Sequence, residues 1–580
     1  MAQAVRGKPS FAELFTPKLV TVLREGYGLA DLRADILSGL TVAVVAIPLS
    51  MAIAIASGVS PDRGLYTSIF GGFIVSLLGG SRFQIGGPAG AFIVLVAATL
   101  DQYGIDGLML ATFMSGLMLI AIGYLRLGTF IKYIPYPVTV GFTAGIAIII
   151  FSGEISDLLG LHLAGKEPGP LVPKLEALTA ALPTFTPAAV AVALCTIIVI
   201  VAIRRFRPQW PAYLIGVVLA SLAVALLNLP VETIGSRFGG IPQLPPLPHL
   251  PDLSWQKAVA VLPAALSFTL LGAIESLLSA VVADSMSGRR HRSNCELVAQ
   301  GFANIVSSLF GGICVTGTIA RTATNVRAGA RSPISGMLHS VFLLLFMLVA
   351  APLARFVPLA GLAAVLGVVC WNMAEKTEFA ALLRASRGDA VVLLATFLVV
   401  VFRDLSLGIL VGFGIGALLF LHRMAQSVEV DASAEPLSQD DASDVDADRQ
   451  RGRYDAAVAT DPDIVVYRIT GAFFFGAAAN VGAALERIGA HPKAYVVDFS
   501  AVPLIDSTAA ATMRGFVRKA RRHHVPVYFT AVRPAVREML SAHGVAEPDV
   551  LFQPSIEAAL RTAHAGLAPA ASTEAPAVAA

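Results

Sequence analysis

The sequence predicts an α-helical polytopic membrane protein of about 14 transmembrane segments, followed by a small cytosolic α/β domain. Three observations lead there. Of 580 residues, 56% are hydrophobic and only 14% charged, whereas a soluble chain carries roughly 25% charged residues. Such a composition excludes disordered, collagenous and nucleic-acid-binding classes. Apolar runs of about 20 residues, the length that crosses a ~30 Å hydrocarbon core, recur from residue 35 to 425. The texture then changes: residues from 426 onward hold 14 Lys+Arg against 19 Asp+Glu, while the first 425 hold 28 against 20. A mildly basic apolar part and an acidic tail imply two domains in different solvents.

Residues 1–30 are expected to be cytosolic or interfacial, with 11–30 as an amphipathic helix lying at the membrane surface. Full spans are expected near 35–56, 62–79, 105–124, 134–154, 186–204, 211–228, 259–283, 294–310, 334–353, 357–373, 387–402 and 404–422. Two further segments, 84–100 and 314–330, are too short and interrupted to cross alone. One set of alternate connections carries 13 lysines and arginines, among them Arg82, Lys132, Arg292, Arg327 and Arg331. The opposite set has mainly seven, among them Arg63, Lys166, Lys174, Arg237 and Arg403. The richer side is read as cytoplasmic, and the even segment count puts both termini there.

The two short segments carry the functional signal. One begins Gln84-Ile85-Gly86-Gly87-Pro88-Ala89-Gly90, the other Gly311-Gly312-Ile313-Cys314-Val315-Thr316-Gly317-Thr318-Ile319-Ala320-Arg321. Each opens on helix-breaking glycines and continues as a short helix. Each is third in its half, the pattern of transporters built from inverted repeats. Close helix packing is the alternative use of such glycines, and the one expected for Gly408, Gly412 and Gly416.

Beyond residue 425 the chain reads as an acidic linker, 426–462. Strands at Ile464–Ile469, Tyr495–Phe499 and Pro526–Thr530 follow, alternating with helices at Ser507–Arg522 and near 534–543 and 556–564. The residues from 566 to 580 read as a disordered tail. Cys195, Cys295, Cys314 and Cys370 stand alone and read as small buried thiols, with no metal spacing. No G-x-x-x-x-G-K-[ST], H-E-x-x-H or G-x-S-x-G occurs, which weighs against ATP-driven pumping and against a hydrolase. No enzyme activity and no cofactor are expected.

Two facing helix starts would present unpaired N–H groups and partial positive charge to a small anion. Amides near Ala89–Phe92 and Thr318–Ala320 are the candidates, with the Thr318 hydroxyl as a neutral donor. Arg321 is costly at this depth unless it faces a cavity or a partner, so it either supplies a positive field or ties the half-helix to a neighbour. Glu275, in mid-span, must pair, bind a cation or take up a proton, and Ser279 lies one turn on. A structural pair between Glu275 and Arg321 is the alternative. Glu154 and Asp157 are read as solvated span-end groups, and Asp284 as interfacial. Asp506-Ser507-Thr508 forms a ready helix cap, with Ser507 as a possible phosphorylation or docking position.

Pro48, QIGGPAG, AIESLLSAVVAD, GTIARTATN and VVDFSAVPLIDSTA, in this order, resemble the SulP anion-transporter family, relatives of pendrin and prestin. The resemblance covers about 30–565. It implies a 7+7 inverted repeat divided into core and gate domains (31–425), elevator-like movement, a STAS domain at 463–565 and homodimers. It places the anion site on Ala89, Gly90, Gly317, Thr318 and Ile319, with Leu49 and Ile53 lining the same cavity. A sodium-coupled bicarbonate relative has aspartate and threonine where Glu275 and Ser279 stand, so proton coupling is ranked above sodium. The tail's Asp506-Ser507-Thr508 matches the STAS phosphorylation motif. The expected activity is secondary transport of sulfate, bicarbonate or a C4-dicarboxylate by proton symport in a bacterial inner membrane. The alternatives are an anion exchanger, a sodium-coupled bicarbonate symporter, an anion channel or electromechanical sensor, and a signalling protein whose STAS domain is the output. A cytosolic partner for that domain is possible, and no nucleic acid is expected.

Overall fold

The computed structural model describes residues 10–129, 135–165, 167–207, 210–403, 405–431, 464–486 and 492–567. The first nine residues, Lys132, Lys166, the expected linker from 432 onward and the expected tail from 568 onward lie outside the described residues. The chain forms two compact units, Met1–Gly416 and Ala417–Ala580.

The first unit opens with α1 (Phe11–Phe15) and α2 (Lys18–Glu25) rather than one amphipathic helix. A reciprocal Ser10–Glu13 cap starts α1, and Pro17 separates the pair because it cannot donate to a continuing helix. The segment is tied to protein: the Lys18 amide donates to the Gly79 carbonyl at 2.9 Å, and Arg292 donates to the Thr16 carbonyl at 2.8 Å. Outside the membrane spans, the Arg82 guanidinium bonded to Glu25 holds that carboxyl below its ordinary range.

Next come α3 (Leu29–Ala56), α4 (Pro61–Tyr66) and α5 (Gly72–Leu78), the last two joined by a π turn at Thr67–Gly71. The two-residue strand β1 (Gly86–Gly87) leads through a 3₁₀ turn into α6 (Ile93–Tyr124). The short segment and the span expected at 105–124 are thus joined across a break at Gly104, whose φ of 69° glycine adopts without strain. Then follow α7 (Tyr136–Leu159), α8 (Leu171–Ala181), α9 (Pro187–Phe206), α10 (Ala212–Leu227) and α11 (Ile234–Phe238). The second half contains α12 (Trp255–Ser287), α13 (Ser293–Leu309), β2 (Thr316–Gly317), α14 (Ile319–Arg327) and α15 (Ile334–Ala354). It ends with α16 (Leu359–Met373), α17 (Lys376–Ala385), α18 (Arg387–Phe402) and α19 (Leu405–Gln426). Among the described residues, eight helices are long and apolar enough to cross a membrane. Pro48, Pro263 and Pro352 sit inside α3, α12 and α15, as membrane helices tolerate when neighbours satisfy the freed carbonyl.

Small residues set the helix contacts. A Cβ on Gly116 of α6 would lie 2.6 Å from the Gly301 carbonyl oxygen of α13, and one on Gly301 would lie 2.5 Å from that of Gly116. The two backbones touch, which dispersion favours where lipid offers no hydrophobic contrast. Gly408, Gly412 and Gly416 of α19 meet Val400, Thr396 and Pro135, which is packing as expected for that row. Cys295, Cys314 and Cys370 are buried, but Cys195 is exposed on α9. All four thiols are free.

The second unit is a five-stranded sheet, β3 (Glu429–Asp431), β4 (Ile464–Thr470), β5 (Ala494–Asp498), β6 (Val527–Thr530) and β7 (Leu551–Gln553), in that spatial order. β3 pairs antiparallel and the rest run parallel. Around the sheet lie α20 (Phe475–Glu486), α21 (Ser507–Arg522), α22 (Pro534–Ala542) and α23 (Ile556–Leu567). Tyr467, Phe473, Phe499 and Phe529 are fully buried between them, each contributing about 1.5–3 kcal/mol. Asp498 is buried yet satisfied, accepting from Arg468 Nε at 3.1 Å, Ser500 Oγ at 2.6 Å and Thr530 Oγ1 at 3.0 Å.

The α6–α13 contact gives a stability test. Gly301→Ala drives a methyl into backbone and should cost about 1–3 kcal/mol, read as a lower thermal unfolding midpoint of the purified protein. Gly414→Ala, inside α19 where nothing stands within 4 Å, should not lower that midpoint, since alanine favours a helix interior over glycine.

Candidate functional site

The two interrupted segments meet. Gly86 pairs with Gly317 and Gly87 with Thr316 in an antiparallel ribbon of two residues per strand. Because the strands run in opposite directions, the chains leave toward opposite sides, one into the 3₁₀ turn Gly90–Phe92 and α6, the other into α14. Both helix starts therefore sit at the ribbon, with their positive ends inward.

Backbone this irregular needs partners at every polar atom. The Thr318 amide donates to the Ile85 carbonyl at 2.9 Å, and the Ile85 amide to Thr322 Oγ1 at 3.1 Å. Asn325 donates to the Phe83 carbonyl at 2.9 Å. Asn304 of α13 spans Val315, accepting from its amide at 2.9 Å and donating to its carbonyl at 2.8 Å. Thr67, in the π turn, accepts from the Ile313 amide at 2.8 Å. From α12, the Ser276 hydroxyl accepts from the Gly317 amide at 3.2 Å and lies 2.8 Å from Thr316 Oγ1. Gln84 donates to the Ser276 carbonyl at 3.1 Å.

The helix starts themselves carry no side-chain cap. Ala89 and Thr318 occupy the cap positions in extended conformation, and neither makes a side-chain cap hydrogen bond. The Thr318 hydroxyl, expected as a donor into the site, donates instead to the Ile85 carbonyl at 3.1 Å. Ala89, Thr318, Leu49 and Ile53 are buried, Gly90 and Ile319 are half-buried, and Ala320 is exposed. A Cβ on Gly317 would fall 1.7 Å from Gln84 Nε2, so any side chain there would displace Gln84 from the Ser276 carbonyl. In front of Gly90 the nearest groups are Ile150 Cδ1 at 3.5 Å and Met373 Sδ at 4.0 Å from a Cβ built there, so α7 and α16 cover this start.

Arg321 is 2% exposed. Its Nη1 donates to Ser68 Oγ at 2.9 Å and its Nη2 to Ser50 Oγ at 3.0 Å. The two hydroxyls are 2.8 Å apart. A Cβ on Gly87 would stand 2.3 Å from Nη1, so the guanidinium lies directly against the ribbon. Among the described residues no carboxylate comes within 4.0 Å of it to form an ion pair. The alternative pairing with Glu275 is therefore absent.

Glu275 and Ser279 face different neighbours. Ser279 donates to Thr322 Oγ1 at 3.1 Å. Glu275 is buried against Val138, Thr139, Phe142 and Thr143 of α7 and Ile409 of α19, around a cavity of about 10 Å³, space on the scale of one water. Asp157 pairs with Arg237 at 3.0 Å, and Asp284 with His291 at 2.7 Å. Glu154 is buried rather than solvated, and it lines a cavity of about 300 Å³ with Ile93, Val94, Ile150, Lys174 and Arg403. In the second unit Ser507 is exposed at the start of α21. Asp506 caps that helix, accepting from the Ala509 amide at 2.9 Å, and accepts from the Phe475 amide at 2.8 Å.

Sequence reasoning missed Ser50, Ser68, Ser276, Asn304 and Gln84. A polar residue inside an apolar run was the available signal, as in Ile47-Pro48-Leu49-Ser50-Met51.

Uncapped helix starts on a crossed pair of broken segments, within a bundle of apolar helices, define a membrane transporter of the broken-helix class. More particularly, the chain belongs to the sulfate permease family. Residues 32–396 match that family and residues 455–559 match the STAS domain. It is 39% identical over 524 residues to the "Putative sulfate transporter YvdB" of Bacillus subtilis, covering 90% of this chain and 95% of the relative. The transmembrane domain of the cyanobacterial bicarbonate transporter BicA superposes with a TM-score of 0.58 at 31% identity, covering 67% of this chain and 98% of that one. Murine Slc26a9, an anion transporter in the inward-facing state, superposes with a TM-score of 0.82 at 20% identity, covering 97% and 96% of the two chains.

Asn304→Ala would orphan the buried Val315 amide and carbonyl, each loss costing about 1–3 kcal/mol. The expected result is a lower thermal midpoint of the purified protein.

Proposed function

We propose that the protein is a secondary active transporter of small anions of the sulfate, bicarbonate or C4-dicarboxylate class. The anion sits between the helix starts at Gly90 and Ile319. Ala89, Gly317, Thr318, Leu49 and Ile53 shape its surroundings, and Arg321 adds a fixed positive field. The observation that carries this reading is the buried guanidinium with only neutral hydroxyl partners. A buried charge lacking a counter-charge is expensive, and a bound anion supplies one.

Transport is proton-coupled symport, with Glu275 as the proton carrier. Its position between α12 and the facing α7 and α19 supports this, because movement of one helix group past the other would change its surroundings. Ser279, engaged by Thr322, steadies α14 rather than completing a sodium site with Glu275. Elevator-like movement carries the anion, in a homodimer of a bacterial inner membrane with both termini cytoplasmic. Ser507 is the accessible regulatory position of the C-terminal domain, open to phosphorylation or a cytosolic partner.

Reconstituted vesicles test the reading. Uptake of one labelled anion against its gradient, under competition from sulfate, bicarbonate, fumarate, succinate and chloride, should identify the cargo class. Absence of accumulation under any ion gradient would reject active transport. Arg321→Ala should lower uptake about ten- to hundred-fold, the scale of a lost charge-assisted interaction, while the purified protein stays monodisperse. Glu275→Gln should abolish pH-dependent accumulation and keep anion exchange. An unaltered pH profile would remove Glu275 from the coupling step.

A further inference from the structure

The second unit presents a basic helix face. On α21, Arg514, Arg518, Lys519, Arg521 and Arg522 are all exposed, and their spacing places 514, 518 and 521–522 along one side. Asp549 pairs with Arg521. Among the described residues, no carboxylate pairs with Arg514, Arg518, Lys519 or Arg522. Outside the described residues, the same unit contains the chain between β3 and β4. Its stretch 435–448 holds Glu435, Asp440, Asp441, Asp444, Asp446 and Asp448 and no lysine or arginine.

Topology brings one end of that connecting chain near the basic helix. The connecting chain leaves at Asp431, opposite Arg468, and returns at Ile464. Ile464 pairs beside Ala494, and Tyr495 beside Val527, so the return point and the first residue of β6 lie on one end of the sheet. α21 finishes at that same end, since it descends from Ser507 and turns at His523–Pro526 into β6. Neighbouring strands are about 4.8 Å apart, so the basic end of the helix stands near the point where the acidic chain comes back. Residue 448 is 16 residues before Ile464. An extended chain of that length reaches up to about 55 Å, and a helix of 16 residues is about 24 Å long.

We propose that the acidic stretch 435–448 docks along the Arg514–Arg522 face of α21, making its own chain the occupant of that surface. Tethering gives the stretch an effective concentration of about millimolar at the helix. Opposite charge supplies the attraction, screened over a Debye length of about 8 Å at physiological salt.

Zero-length carbodiimide coupling of the full-length protein tests this, with peptide mapping by mass spectrometry. At low salt the Lys519 amine should join a carboxylate within 435–448. That product should fall about five-fold or more in 0.5 M salt and vanish when Glu435 is changed to Gln and Asp440, Asp441, Asp444, Asp446 and Asp448 to Asn. Coupling of Lys257 to Asp252, exposed and 2.6 Å apart, reports that the reagent acted. As a second readout, tryptic cleavage at Arg449, Arg451 and Arg453 should speed up in the Arg518→Glu, Lys519→Glu protein. The proposal fails if Lys519 couples elsewhere or not at all while the control reacts. It fails equally if mixed isotope labels show that the link joins two copies. It fails too if protection of those arginines appears only in vesicles of anionic lipid, which would make the membrane the occupant.

Discussion

The two-residue ribbon between Gly86–Gly87 and Thr316–Gly317 is the constraint on which the membrane unit depends. A chain broken at this depth exposes amides and carbonyls where no solvent can pair with them. Ribbon bonds satisfy some, and side chains from α12, α13, α14 and the π turn satisfy the others. Ser276, Asn304, Thr322 and Thr67 thus act as substitutes for the missing helical ladder. At the two helix starts Ala89 and Thr318 give only their carbonyls to the following turn, to Phe92 and Thr322, and no side chain caps the first amides.

Arg321 belongs to the same economy of polar groups. Ser50 and Ser68 orient its guanidinium without neutralising it, so the charge persists as an electrostatic demand beside the ribbon. A carboxylate partner would have satisfied that demand permanently. Hydroxyls leave it to be met by something that comes and goes, which is why the proposed function rests on this side chain rather than on the helix dipoles alone.

Much of this was legible in the sequence because bilayer thickness imposes a length on apolar runs, and because glycine and proline mark where a helix must stop. QIGGPAG and CVTGT announced the broken segments on those grounds. Their mutual hydrogen bonding was not legible, since it depends on register between residues more than 200 positions apart in the chain. The face on which Glu275 sits was also hidden. Periodicity puts Ser279 on its side of the helix, but the neighbours that claim each side chain, Thr322 for one and α7 for the other, are set by tertiary packing. In the C-terminal domain, alternating strands and helices were readable. The helix Phe475–Glu486 was missed because small residues give its sequence little apolar period, and β7 because it has only three residues.

The glycine contact between α6 and α13 has a mechanical consequence. A Cβ on Gly116 would meet the Gly301 carbonyl and Ile305, and one on Gly301 the Gly116 carbonyl and Ile120, so backbone and isoleucine interlock and relative sliding would force both out of register. α6 grows out of one broken segment, and α13 clasps the other through Asn304. The clasp therefore ties the ribbon to both helices. Under the proposed elevator-like movement, a solute resting on the ribbon would travel with these helices as a passenger rather than by squeezing between them.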